Sequence, residues 1–326
     1  MKAITKNELV SFLKSLEGEY DVKAPIRLHD GTRTLGRLGE GELDILGGKL
    51  PQKPTSVFFP QWDKVFSARG FDVEMGKGPE KPALLVGFTR QDLDCQEFID
   101  QFFSKNFLDD VYFSKRNGSL IFGISGKAGK DGEFLRISGG KCDVELVYDG
   151  ERFIFSAITE AGKNLEKRLQ GGVESNSYPA LKKESDAMAD PDLELITKAS
   201  ELLLQNKVPE SFWESISKRC IACCSCNFTC PTCTCFDVWD RKFPDSIERV
   251  RTWDSCQLDG FMREASRHNP MGTEESRTRR RIHHKLAADV ERWGFKTCFL
   301  CGRCDDSCPT GIGIKSVCRE MVAACS

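Results

Sequence analysis

Two stretches of the 326-residue chain carry cysteines at a spacing with chemical use. Residues 220–231 read CIACCSCNFTCP, so Cys220, Cys223, Cys226, Cys230 and Pro231 fit C-x-x-C-x-x-C-x-x-x-C-P without a gap. Residues 298–309 read CFLCGRCDDSCP and repeat the pattern through Cys298, Cys301, Cys304, Cys308 and Pro309. Three cysteines two residues apart wrap one tight turn around an iron–sulfur cube and give three irons their thiolates. The fourth, set before a proline that redirects the chain, reaches the neighbouring cube. By that rule Cys220, Cys223, Cys226 and Cys308 hold one 4Fe-4S cluster, and Cys298, Cys301, Cys304 and Cys230 hold the other. Zinc sites also use C-x-x-C pairs, and a structural zinc protein is the alternative. Zinc, however, takes four ligands and has no use for a doubled three-plus-one arrangement with both prolines.

Further cysteines follow at once. Cys233 and Cys235 lie in Cys230-Pro-Thr-Cys-Thr-Cys-Phe-Asp237, and Cys256 closes Thr252-Trp-Asp-Ser-Cys256. These three thiols could ligate a third iron–sulfur site, with Cys224 or His268 as the fourth ligand, and such an open site could make the chain an enzyme. The plainer reading is small buried side chains whose S–H groups tune the clusters. It is preferred, because no spacing sets the fourth ligand. Cys318 and Cys325 fall in a C-terminal helical stretch, and Cys95 and Cys142 are isolated; all four read as packing.

The run Arg277-Thr-Arg-Arg-Arg-Ile-His-His-Lys285 invites a nucleic-acid reading. Its flanks are amphipathic, with Ile282, Leu286, Ala287 and Val290 as the apolar stripe. A solvated helix face, or cations paired with acidic groups or anionic clusters, fits better. Overall charge agrees: 47 Lys and Arg against 49 Asp and Glu give a formal −2. That is no protein built to neutralise phosphates. Residues 211–326 contain 18 basic against 15 acidic side chains, a small excess that offsets anionic clusters. No Ser/His/Asp set, paired carboxylates or metalloprotease motif stands out, so the chain reads as a non-catalytic carrier.

Sixteen cysteines in a chain without a signal-like apolar start, fourteen of them in the last 107 residues, argue for thiolates in a reducing compartment. A cytoplasmic protein is expected. The best apolar run, Ala83–Phe88, is far short of the ~18–20 residues that span a bilayer.

The elements that position these residues read as an α+β chain. Residues 1–165 suggest a mixed α/β scaffold or partner-docking domain. Thr5-Lys-Asn-Glu8 resembles a capping box, followed by Leu9, Phe12, Leu13 and Leu16 at helical spacing. Pro82–Phe88 and Ser119–Ile124 are buried-strand candidates, and Asp94–Phe103 is a helix with Phe98, Ile99, Phe102 and Phe103 on one face. Val144–Tyr148 and Arg152–Phe155 flank Asp149-Gly150 as a hairpin. Residues 166–210 read as linker and helix, the helix over 193–206. Residues 211–326 form the α-helical ferredoxin module, with helices over 210–219 and 275–293, so that each motif begins where a helix ends.

With these residues in view the chain resembles a family of iron–sulfur proteins typified by the iron–sulfur component of anaerobic sulfite reductase and by the beta subunit of sulfhydrogenases. The likeness rests on Cys220–Pro231 running on to Asp237, on Arg251–Cys256, on His268-Asn-Pro270, on Arg279–Lys285 and on Cys298–Pro309. Ser56–Pro60 and Leu85–Asp92 add to it. Thr89-Arg-Gln-Asp92 stands where family members carry an Arg-Pro-Cys-Asp-like segment, so thiol chemistry of that half is not implied. The resemblance implies an electron-relay subunit of an anaerobic oxidoreductase complex. One partner would be a catalytic subunit of sulfite or sulfur reductase, nickel–iron hydrogenase or heterodisulfide-reductase type. The other would be a flavin- and NAD(P)H-binding reductase subunit.

Overall fold

The computed structural model describes residues 1–325. The chain divides into two compact units, residues 1–59 with 77–189, and residues 60–76 with 190 onward. The first unit begins with β1 (Lys2–Ile4) and α1 (Lys6–Ser15). The capping box forms: the Glu8 amide donates to the Thr5 hydroxyl at 3.2 Å, and the Thr5 amide to the Glu8 carboxylate at 2.7 Å. Strands β2 (Asp21–Arg27), β3 (Arg33–Gly36) and β4 (Glu42–Leu43) follow. Residues 60–76, with β5 (Trp62–Arg69) and β6 (Asp72–Met75), leave this unit. The chain returns as β7 (Ala83–Phe88), α2 (Arg90–Phe102), α3 (Asp110–Arg116) and β8 (Leu120–Gly126). The unit finishes with the hairpin β9 (Val144–Tyr148) and β10 (Phe153–Ala157), then α4 (Glu160–Arg168), β11 (Val173–Glu174) and α5 (Tyr178–Ala187).

Nine of these strands make one mixed sheet, ordered β11-β1-β10-β9-β8-β7-β2-β3, with β4 also on β2. Its centre, β2-β7-β8-β9, is parallel and its flanks are antiparallel. Continuous apolar runs such as ALLVGF suit central strands covered on both faces, and β8 is buried along its whole length. Leu9, Leu13, Val86, Phe122, Leu146 and Phe155 form the core under α1. The stretch read as linker is partly woven into this unit: Leu169 joins the core, and Val173 pairs with Ala3 at the sheet edge.

The second unit contains α6 (Pro191–Leu204), α7 (Glu210–Ser217) and the short α8 (Ser225–Phe228). Beyond β12 (Phe236–Lys242) and β13 (Ile247–Trp253) come α9 (Glu274–His283), a π turn over His284–Ala288, and α10 (Asp289–Trp293). α11 (Arg303–Ser307) and α12 (Ile314–Ala324) complete it. Helices do precede both cysteine motifs: α7 ends three residues before Cys220, and α10 stops at Gly294, whose φ of 83° terminates it. Ile196, Trp213, Ile282, Leu286, Val317 and Met321 close the helical core.

The expected division differs here in two places. Helix α6 belongs to the second unit, and so does the hairpin of residues 60–76. That hairpin joins an antiparallel sheet ordered β12-β13-β5-β6, with Val250 opposite Lys64 and Trp253 opposite Phe236. The reading of residues 211–326 as an α-helical module omitted this sheet. Its pairing is almost 190 residues distant in sequence at the buried Arg251–Asp63 ion pair, 2.8 Å long. No local spacing records such a contact.

Candidate metal centre

The two cysteine motifs repeat in backbone as well as in sequence. Ala222 and Leu300, each just before the second cysteine of its motif, have φ of 51° and 60°. Cys224 and Gly302, each just after it, have φ of 63° and 72°. Left-handed residues interspersed at these positions turn successive N–H groups toward one concavity, the nest geometry that receives anions and iron–sulfur clusters. A positive φ at Ala222, Cys224 and Leu300 costs a non-glycine residue of order 1–2 kcal/mol each. Such strain is kept where a site requires it.

The thiols of the two motifs meet. One cavity is lined by Cys220, Cys223 and Cys226 from the first motif and by Cys308 from the second, together with Gln257, Thr278 and Arg281. Cys308 accepts from the Ile312 amide at 3.4 Å. Burial disfavours its thiolate, but the Thr310 hydroxyl and the amides of Ile312, Thr310 and Gly311 outweigh that and hold its pKa below the ordinary thiol value. Cys226 is pushed up to about 11, chiefly by burial, with Arg281 opposing. Around Cys298 stand Cys304, Cys301 and Cys230, which with burial push its thiol up while the Leu300 amide opposes them. Thiols of both motifs thus stand close together, with Cys224 also on the wall of the first cavity and Cys304 near Cys226.

Two buried cations face these groups. Arg281 and Lys285 are one helical turn apart, so they share a face of α9 and the π turn that follows. They are only 5% and 4% exposed. Arg281 Nε donates to Asn227 Oδ1 at 3.1 Å, and Lys285 Nζ donates to the Thr232 hydroxyl at 2.7 Å and carbonyl at 3.3 Å. Among the described residues neither forms an ion pair with a carboxylate, and Arg281 Nη2 has no hydrogen-bond partner. Burial works against both charges, yet the thiols around them hold both pKa values up: Cys226, Cys304, Cys233 and Cys230 for Arg281, and Cys230, Cys233 and Cys298 for Lys285. A buried cation without an anion is expensive. The anionic thiolates of bound iron–sulfur clusters would be the compensation this arrangement lacks, and in that respect the residues present fit such a group.

Among the described residues no three His, Cys, Asp or Glu side chains converge closely enough to hold a single metal ion. A zinc ion gathers four thiolates about 2.3 Å from one centre, whereas a cube gives each thiolate its own iron and keeps them apart. Asn227 links the parts of the centre. Its Nδ2 donates to Ser255 Oγ at 2.9 Å and to Cys256 Sγ at 3.2 Å, while its Oδ1 faces Arg281. Sequence reasoning missed Asn227, and missed that Arg277, Arg281 and Lys285 form the inward stripe of the basic helix. The signal for the stripe was present, since 277, 281 and 285 are spaced by four beside the apolar Ile282 and Leu286.

The additional cysteines are sorted by the structure. Cys235 neighbours both Cys256 and Cys233, Cys256 also neighbours Cys224, and Cys233 stands beside Cys230. His268, the other candidate fourth ligand, is exposed, with Nδ1 3.5 Å from Glu264. Cys318 packs in the helical core. Cys95 and Cys142 are buried in the first unit.

Known proteins give the same picture. A family profile described as a 4Fe-4S dicluster domain matches residues 219–312. The chain is 27% identical to sulfhydrogenase 2 subunit beta of Pyrococcus furiosus over 340 aligned positions, covering 95% of each chain. No solved structure matches it significantly. Among the described residues no helix is long and apolar enough to cross a membrane. The two matches support the iron–sulfur subunit family that the cysteine motifs indicated, with the dicluster domain over residues 219–312.

Proposed function

We propose that the chain is the electron-relay subunit of an anaerobic oxidoreductase complex, with two 4Fe-4S clusters on eight cysteines. Cys220, Cys223, Cys226 and Cys308 would hold one, and Cys298, Cys301, Cys304 and Cys230 the other. The observation that carries this reading is the shared cavity, in which three thiols of the first motif face the last thiol of the second. When bound, such clusters supply one-electron transfer at potentials set by hydrogen bonds, charge and exposure. The residues of this chain would do the tuning. Arg281 and Lys285 bring buried positive charge, Asn227 fixes the guanidinium, and the amides near Cys308 stabilise its thiolate. Positive charge of this kind favours the reduced, more anionic state.

The relay would run, in the cytoplasm, between a subunit that binds flavin and NAD(P)H and a catalytic reductase or hydrogenase subunit. The relative named as a beta subunit supports a multi-subunit setting. Large apolar side chains exposed on the small sheet, Trp62, Val73, Met75, Val238 and Trp239, support it as well. The first unit would serve as scaffold or docking domain.

Anaerobic purification of the tagged full chain, with iron analysis and EPR of the reduced state, tests the assignment. At least about eight iron per chain and two interacting cubane signals are expected. Cys308→Ser should damage the cluster of the Cys220 motif, and Cys230→Ser that of the Cys298 motif. Damage confined to each variant's own motif would refute the crossed ligation, and stoichiometric zinc without iron would refute the relay.

A further inference from the structure

Eight cysteines take no part in the two ligand sets, and four of those eight come together. The small sheet makes the first pairing. Phe236 opens β12 opposite Trp253, the last residue of β13, so the open end of this hairpin delivers Cys235 and Cys256 to one place. The Asp254 amide donates to the Cys235 carbonyl at 3.0 Å, and the two thiols are neighbours. Cys256 and Cys233 both contact the Asn227 side chain, at 3.2 and 3.7 Å, and Cys224, which also lines the cavity of the first motif, stands within electrostatic reach of Cys256. The four thiols thus form one continuous patch, supplied by three separate segments of chain.

Three observations set this patch apart from ordinary packing. Cys224 occupies a left-handed position, φ 63°, where the second motif has Gly302 at 72°. A small side chain wanted only for space would be better served there by glycine, which bears no strain. The sheet, second, is fixed most firmly at the cysteine end. The buried Arg251–Asp63 pair and the bond from the Trp253 amide to the Gln61 carbonyl at 3.0 Å lie there, whereas β12 is exposed from Asp237 to Lys242. It covers little core, so its rigid end has another use. Third, the patch faces buried polar and cationic groups: Asn227 Nδ2 lies 3.2 Å from Cys256, Arg281 faces Cys256, and Lys285 faces Cys233 and Cys235. Apolar packing partners would not require them.

We propose that Cys224, Cys233, Cys235 and Cys256 ligate a third iron–sulfur cluster beside the two of the dicluster. This rests on the reading above, in which the eight motif cysteines are already used. On assembly the four thiols release their protons and bind iron and inorganic sulfide supplied from outside the chain. Four thiolates suit either a two-iron or a four-iron cluster, and iron content separates these.

The test uses the full chain, isolated without oxygen, with iron and acid-labile sulfide counted per chain and Mössbauer and EPR spectra recorded. The expected result is about ten or about twelve iron, with a third component in the spectra. The double variant Cys235→Ser/Cys256→Ser should fall to about eight and keep both dicluster signals. Cys224→Gly gives a second variant in which the backbone is relaxed, and it should lose the third component while the fold is retained. Wild-type protein with about eight iron and both dicluster signals would overturn the third cluster and leave the relay standing. Eight iron plus one zinc would do the same. Iron well below eight in the wild type would overturn both.

Discussion

The two units differ in how they bury part of their charge. In the first, partners are found within the fold. Tyr112 donates to Asp100 at 2.5 Å, Gln96 donates to Tyr112 at 2.7 Å, and Arg116 reaches the same carboxylate at 3.1 Å. Glu145, buried in the centre of the sheet, accepts from the Ser138 amide at 2.7 Å and from its hydroxyl at 2.5 Å. In the second, Arg251 has its carboxylate in Asp63, but Arg281 and Lys285 are buried against neutral groups and thiols. A unit that pairs its buried charges within the fold needs no further ion there. One that buries uncompensated cations around cysteines is complete only with an anionic cofactor. The contrast assigns folding energy to apolar packing in the first unit and partly to cofactor binding in the second.

Removing the metal should separate them most. Chelation under oxidising conditions is expected to cost the second unit on the order of 10 kcal/mol, the scale of structural metal sites. Hydrogen exchange would then show loss of protection over α6, α7, α9 and α12, with β7 to β10 still protected. Equal loss in both units would remove the contrast.

A core truncation should act in the other direction. Phe155 is fully buried and makes edge contacts with Phe12 at 5.8 Å and Phe122 at 5.9 Å. Phe155→Ala is expected to cost about 3–5 kcal/mol of first-unit stability. Denaturation followed by exchange at β8 should show the same loss with and without metal, and iron content should not change. A loss of iron would mean that the first unit supports the clusters.

Arg281→Met should give effects of opposite sign in the two forms. With metal bound, it leaves cluster charge uncompensated and should cost about 3 kcal/mol. Without metal, it removes a buried cation of 5% exposure that has no carboxylate partner, and stability should stay level or rise by about 1 kcal/mol. Denaturant titrations of both forms check this. An equal loss in the two would make the guanidinium a structural group that serves Asn227 alone.

What could be read from sequence follows how local the determining interactions are. The capping box at Thr5 and Glu8, the hairpin around Asp149-Gly150 and the helices before each motif depend on neighbours within a few residues, and each is present. Helix α2 begins earlier than the apolar pattern indicated, because Thr89 and Asp92 form a capping box of their own. The small sheet was not legible, since β5 and β13 meet only in the folded chain and Asp63 carries no sign of its distant partner Arg251. The two cysteine motifs were legible because cluster chemistry fixes such spacing along the chain. Their charge partners were half legible: the basic run was visible, but which face it buried was not. Cys224 illustrates the remainder, since its approach to Cys256 depends on where β13 ends.

Cys142 provides the finest test, because it is a cysteine that the first unit uses in the opposite way. It is buried, with Ser138 Oγ 3.6 Å from its sulfur. Burial, reinforced by the Glu145 carboxylate, pushes its thiol up to about 12. An unfolded thiol ionises near 8.5. Between those values the unfolded chain has lost a proton that the folded chain keeps, so stability must fall as pH rises. From pH 8 to pH 10 the loss from this one group is about 1–2 kcal/mol. Cys142→Ala should remove that part of the slope, which denaturation read by exchange at β9 would measure, and should leave iron content unchanged. If the slope persists in the variant, the alkaline loss belongs to other groups. If iron falls, Cys142 serves the metal centre, and the division of labour between the units fails at the residue type that defines it.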